Sequence, residues 1–333
     1  MNFLKNRLLP GIIFGLVLIF LLALGIVFSS KTNLTGFVFR IIYLFVICSF
    51  FVICLYELCI AFKLNYSYIV LFFCLNVLAF VIPFNGSHFF VFEKEYSETF
   101  LVNKISMSNN FVKFVTEIFL GWQLYALLLI DYVICVSFFY INTKKTNKYF
   151  NISKLFYDGV IFILTLLIII CSLRFIYFSI VFDYRYLVLG FLVAVFSDTS
   201  GFFGGRFFGK KWISKPYVPN ISPNKTWEGA IFQFLGGFII TVAICFSFPL
   251  FNNVSNSNNL LKFKIQEHVS LFVSFILLPI MVIVGDLYFS LIKRLAQIKD
   301  FSKILRSHGG FLDRYDSVSF GFFTINLLMI LMV

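Results

Sequence analysis

The sequence predicts an all-α, polytopic integral membrane protein of about nine transmembrane helices, with its polar chemistry gathered at one membrane border. Three observations predict it. Hydrophobic residues make up 60% of the chain and charged residues only 13%, against roughly a quarter charged in a soluble domain. Apolar runs of about 20 residues, enough to span a bilayer, recur from end to end. The remaining charges cluster between those runs, and mean hydropathy is +0.96.

In chain order the runs are 8–28, 37–60, 66–84, 117–141, 158–182, 184–203, 229–250, 269–292 and 317–333. Lys5 and Arg7 precede the first, as in a signal peptide. It is long for the apolar core of a signal and lacks a small-residue cleavage site, so it reads as a span. With the N-terminus inside, loops 61–65, 142–157, 204–228 and 293–316 face the cytoplasm and hold most of the 27 Lys and Arg residues. That bias sets the expected orientation. Loop 85–116 and the Asn/Ser-rich loop 252–267 fall on the other side.

The net charge of +12 suits cytoplasmic retention and anionic lipid, not nucleic acid. The seven Cys (48, 54, 59, 74, 135, 171, 245) sit in apolar runs without CxxC spacing and read as small hydrophobes. Neither a Walker A loop nor GxGxxG is present.

Two polar segments stand out. In the first, 285–316, Asp286, Ser290 and Lys293 fall at i, i+4 and i+7 and form one polar stripe on an apolar helix. Arg294, Lys299 and Asp300 follow, then His308-Gly309-Gly310-Phe311-Leu312-Asp313-Arg314-Tyr315-Asp316. An ionisable group inside a span is functional by default, and neutralisation by a neighbouring Arg is the plainer alternative for Asp286. Asp313 and Asp316 share a helix face if a helix begins there. Helix capping is their structural alternative, expected more of Asp316 than of Asp313. His308 is equally a proton carrier and a loop hydrogen bonder.

The second segment leaves a span through Ser197, Asp198, Thr199 and Gly201, then alternates Gly204, Gly205 and Gly209 with Arg206, Lys210 and Lys211. It reads as a turn whose backbone N–H groups approach phosphate. It ends in Ser222-Pro223-Asn224-Lys225-Thr226-Trp227-Glu228-Gly229, which alone is equally an interfacial re-entry turn.

Both segments resemble the CDP-diacylglycerol synthases (phosphatidate cytidylyltransferases). The family's Ser, any, apolar, Lys-Arg, four residues, Lys-Asp, then His-Gly-Gly, apolar, any, Asp-Arg, any, Asp is met by Ser290, Lys293, Arg294, Lys299, Asp300, His308, Gly309, Gly310, Asp313, Arg314 and Asp316. Its Ser-Pro-x-Lys-Thr-Trp-Glu-Gly is met at 222–229. Arg306 stands where the family has Pro or Gly, and Tyr315 where it has a smaller apolar residue. The resemblance covers about 190–333, the expected catalytic region, and leaves 1–189 as a scaffold of helices.

What the resemblance implies is the reaction CTP + phosphatidate to CDP-diacylglycerol and diphosphate. Mg²⁺ would sit on Asp286 and Asp313, with a second cation such as K⁺ open. Lys225, Lys293, Arg294, His308 and Arg314 would serve the phosphates. Ser197, Asp198, Gly201, Gly204, Gly205, Arg206, Ser222, Asn224, Thr226, Ser290, Gly309, Gly310 and Asp316 would line the substrates. The expected partners are CTP, phosphatidate and membrane lipids, with a homodimer left open. The expected location is a bacterial plasma membrane, or the endoplasmic reticulum or another organelle membrane in a eukaryote. Two alternatives are a CTP-dependent lipid kinase of the dolichol type, which would release CDP, and a transporter using Glu57, Asp131, Arg174 and Asp286. The second is disfavoured because no repeat is visible and charge gathers at one face. Glu57, Asp131 and Arg174 are buried by sequence, and pairing of Arg174 with either acid is the structural solution expected of them.

Overall fold

A computed structural model describes residues 22–28, 34–81, 111, 115–116, 119–145, 152–248, 250–251, 260–304 and 309–331. A helical segment at 22–28 precedes α1 (Leu34–Ala61), α2 (Tyr66–Val81), α3 (Trp122–Lys145), α4 (Ile152–Val181) and α5 (Tyr184–Phe208). Strands β1 (Pro216–Val218) and β2 (Ser222–Thr226) follow, then α6 (Trp227–Ser247), α7 (Leu260–Leu295) and α8 (Leu312–Ile330). Among the described residues, six helices are long and apolar enough to cross a membrane, and Tyr66–Val77 is a shorter apolar helix. The chain is an all-α polytopic membrane protein. Most of the run expected at 8–28, most of loop 85–116, part of loop 252–267, and His308 lie outside the described residues.

Two boundaries differ from expectation for reasons the packing makes plain. The segment 197–206 is not a turn: α5 stays helical through it to Phe208. Glycine inside a helix costs about 1 kcal/mol relative to Ala, so these glycines need another reason. They let α6 approach. A Cβ on Gly204 would lie 2.3 Å from Phe232 Cβ, one on Gly201 2.9 Å from Gln233 Cβ, and one on Gly236 of α6 2.1 Å from Ser200 Oγ. In lipid, helices associate through close backbone contact because hydrocarbon offers no hydrophobic drive, and small residues permit it. α6 meets α7 the same way, with Gly237 against Pro279.

The final helix begins earlier than the expected run at 317, so Asp313 and Asp316 lie in its opening turns. Gly190 of α5 accommodates Phe322 of α8, and Gly285 of α7 accommodates Phe320. α5, α6, α7 and α8 thereby form one tight group. α4 joins it through Tyr315 Oη and Ser172 Oγ, 2.8 Å apart. α1 joins it through Phe50, whose ring meets Phe311 and Tyr315 edge-on. The short antiparallel hairpin β1–β2 pairs Pro216 with Thr226 and Val218 with Ser222, with a bulge between. It sits where α5 ends and α6 begins.

This packing makes glycine substitutions unequal. Gly204→Ala should destabilise the protein by about 1–3 kcal/mol, the usual cost of overpacking. Gly321→Ala should be nearly silent, because its Cβ would meet Val282 at an ordinary 3.5 Å. Thermal unfolding of the two variants in the same detergent compares them directly; equal stabilities would mean that the close α5–α6 contact is not what the glycines serve.

Candidate active site

Four elements converge at one end of the group: the C-terminal half of α5, the hairpin, the start of α6 and the second half of α7. Between them lies a pocket of about 610 Å³. α5 lines it with Asp198, Gly201, Phe202, Gly205 and Arg206, and the hairpin with Tyr217, Lys225 and Thr226. α6 adds Gly229, Ala230 and Gln233, and α7 adds Ile283 and Asp286.

The pocket's central contact is Lys225 Nζ donating to Asp286 Oδ2 at 2.5 Å. Lys225 is carried there by local structure. β2 is extended through it, and Thr226 then caps α6, its Oγ1 accepting Gly229 N at 3.2 Å. Both side chains keep about a quarter of their surface exposed, 26% each, so water or a ligand reaches them. Asp198 lies beside this pair and is electrostatically coupled to both members. Its own oxygens are held by Gln233 Nε2 at 3.0 Å and by Ser317 Oγ of α8 at 2.8 Å. Asp316, whose Oδ1 accepts Ser317 N at 2.8 Å, is coupled electrostatically to Asp286 and Asp198. The pocket therefore holds carboxylates from α5 and α7 beside Lys225, with Asp316 of α8 behind its lining. Among the described residues no three acids, His or Cys stand close enough to one another to form a closed metal cage.

A second carboxylate centre lies at the end of α7. Lys293 follows Asp286 by two turns, about 10 Å along the axis, and its Nζ donates to Asp313 Oδ1 at 2.9 Å. The other oxygen, Oδ2, accepts Phe301 N at 2.9 Å and Gly310 N at 2.8 Å. Capping was expected of Asp316. Asp313 performs that kind of work instead, folding the connection back onto the helix start.

The glycine pair has two separate reasons. Gly309 has φ +78°, and a Cβ there would meet Asp313 Oδ2 at 2.8 Å. A Cβ on Gly310 would meet Glu57 Oε1 at 2.6 Å. The first glycine answers a left-handed backbone and the second a carboxylate from α1.

Other expected site residues stand elsewhere. Ser197 is buried and donates to Gln233 O at 2.9 Å, and Gly204 faces Phe232. Both join α5 to α6 outside the pocket lining. Arg294 Nε donates to Ile221 O at 2.9 Å and ties α7 to the hairpin. Ser222 and Asn224 lie on β2. Ser290 is half-buried one turn past Asp286. Arg314 lines a different, apolar cleft with Tyr43, Phe50 and Val318, because it projects from α8 about 100° around from Asp313. Asp131 is buried beside Asn76 and, among the described residues, does not pair with Arg174. Glu57 bonds instead to the start of α8.

Gln233, Tyr217 and Glu228 were not among the expected site residues. Gln233 is an amide in the otherwise apolar body of α6, which is the signal that could have found it. Glu228 is buried, and its Oε1 accepts Trp212 N and Ile213 N at 2.9 Å each.

A family model described as the cytidylyltransferase family matches residues 7–332. The chain belongs to that family. The match includes the N-terminal helices, well beyond the 190–333 of the resemblance. Similar curated proteins are the phosphatidate cytidylyltransferases of Helicobacter pylori, Haemophilus influenzae and Staphylococcus haemolyticus. They are 38% identical over 138 residues, 34% over 131 and 36% over 148. Those segments are 41%, 39% and 44% of this chain, and 44%, 40% and 50% of the relatives. The chain thus spans half or less of the length of these relatives.

Glu228 offers a test of the local architecture. Glu228→Gln removes an anionic acceptor from two backbone N–H groups, each such bond being worth about 1.5–3 kcal/mol. Trypsin cleavage after Lys210 and Lys211 should then speed up at least tenfold in the folded protein, followed by mass spectrometry. Unchanged cleavage would mean the loop is held without Glu228.

Proposed function

We propose that this chain is a phosphatidate cytidylyltransferase, joining CTP and phosphatidate into CDP-diacylglycerol and diphosphate. The observation that carries the reading is the Lys225–Asp286 contact, which joins the two motifs across a single pocket. The named relatives support it.

In this reaction a phosphatidate phosphate oxygen attacks the α-phosphorus of CTP. One P–O bond forms, the bond to the bridging α,β-oxygen breaks, and diphosphate leaves with that oxygen. The attacking group is already an anion, so no strong base is needed. The obstacle is bringing two polyanions together, which fixed cations and orientation overcome. Lys225 and Arg206 line the pocket and supply positive charge to phosphate oxygens. The Lys225 ammonium suits this task because its present partner, Asp286, is partly exposed and exchangeable. Gly201 and Gly205 line the α5 wall of the pocket beside Arg206.

The donor set also fits a hard divalent cation, which prefers carboxylate oxygens and phosphates. Asp286 and Asp313 each carry a lysine, and of the two only Asp286 lines the pocket. Asp286 would hold Mg²⁺ at the pocket, with phosphate oxygens completing its shell, and the ion when bound would offset phosphate charge. Asp313, at the separate centre with its oxygens taken by Lys293, Phe301 N and Gly310 N, would join that shell only by exchanging those partners. A second cation such as K⁺ belongs to the same proposal. The membrane face is the cytoplasmic one, where CTP resides, and the host membrane is a bacterial plasma membrane.

Purified protein given labelled CTP and phosphatidate should release diphosphate and form CDP-diacylglycerol; release of CDP without diphosphate would instead identify a lipid kinase. Asp286→Asn and Asp313→Asn should each lower turnover by at least a hundredfold with expression intact. Lys225→Ala should lose about 1.5–3 kcal/mol of transition-state stabilisation, on the order of one charged contact, while Lys144→Ala should lose almost nothing. Equal mild losses at both lysines would remove Lys225 from the chemistry.

A further inference from the structure

Glu57 is fully buried on α1, in the half of the chain outside both polar motifs. Its Oε1 accepts Ser302 Oγ at 2.5 Å and Phe311 N at 2.9 Å, and its Oε2 accepts Leu312 N at 2.8 Å. The first N–H groups of a helix have no partner within it and carry partial positive charge. Glu57 supplies that partner for α8 from 254 and 255 residues away.

Its grip alternates with that of Asp313. Asp313 binds Phe301 N and Gly310 N, and Glu57 binds the next residue in each case, Ser302 and Phe311. Two carboxylates, one on α1 and one on α8, therefore hold residues 301–302 and 310–312 between α7 and α8. Gly310 fits beneath Glu57 only because it has no side chain. Phe50, two turns before Glu57, packs edge-on against Phe311 and Tyr315 and fixes α1 at this spot.

From this geometry we infer that Glu57 is a positioning residue for the reaction: it holds Ser302, Phe311 and Leu312 so that the Asp313 carboxylate meets Lys293. It touches no substrate. The activity half of this inference rests on the proposed reaction, whereas the structural half does not.

The test uses the full chain in lipid nanodiscs, comparing wild type, Glu57→Gln and Gly310→Ala by hydrogen–deuterium exchange and by steady-state kinetics. Gln keeps the size of Glu57 but offers one acceptor oxygen in place of two. The expected result is at least tenfold faster exchange over 309–312 with exchange in α5 unchanged. It is accompanied by at least a tenfold lower kcat, while the KM for CTP stays within threefold. Gly310→Ala should reproduce both changes with Glu57 still in place, and it decides the matter if Glu57→Gln fails to insert. Unchanged exchange over 309–312, or faster exchange with unchanged kcat, would overturn the inference. A wild-type chain that makes no CDP-diacylglycerol would count against the reaction alone, and the exchange measurements would then decide the role of Glu57.

Discussion

The contact between Lys225 and Asp286 is the constraint around which the rest of the site is built. It needs a lysine delivered by an extended strand and an acid delivered by a membrane helix, 61 residues apart. Each of the surrounding features serves one side of that meeting. Thr226 ends the strand and starts α6, Arg294 ties the hairpin to α7, and Gly237 lets α6 lie against the proline of α7. A carboxylate half in an apolar setting is costly without a counter-charge, so Lys225 also makes Asp286 tolerable while the pocket holds no phosphate. The arrangement is consistent with exchange: what neutralises the acid is the same cation that phosphate would attract.

Among the described residues glycine does two kinds of work. On α5 and α6 it brings helix axes together, which in lipid takes the place of hydrophobic burial. At Gly309 and Gly310 it yields space to carboxylates. Asp313 requires Gly309 and Glu57 requires Gly310, so the two acids and two glycines form a single interlocked unit. Through Glu57 and Phe50, the N-terminal helices take part in shaping a site whose motifs lie entirely in the other half. The match of the cytidylyltransferase family to residues 7–332 agrees with a fold in which both halves are needed.

Much of this was legible in the sequence. Apolar run length located most of the helices, although α4 begins six residues and α7 nine residues before the expected run, and the i, i+4, i+7 stripe put Asp286 and Lys293 on one side of α7. The error over 197–206 has a physical origin: a glycine-rich segment satisfies both a turn and a close helix contact, and only the partner helix distinguishes them. Ser197 and Gly204 were assigned to substrate for the same reason. Arg314 shares its motif with Asp313 but not its direction, a consequence of 100° per residue that becomes visible once the helix start is known. Glu57 could be flagged as a buried acid, but two of its three partners are backbone N–H groups, which carry no residue identity for a sequence to reveal.

The central claim is that Lys225 and Asp286 act as one unit in one pocket. A double-mutant cycle on turnover, with Lys225→Ala, Asp286→Asn and both together, tests it most directly, because residues acting as a unit are not additive. The account predicts that the double variant is no slower than the slower single variant, to within about threefold. Losses that multiply would contradict it, since the lysine and the acid would then serve the reaction separately.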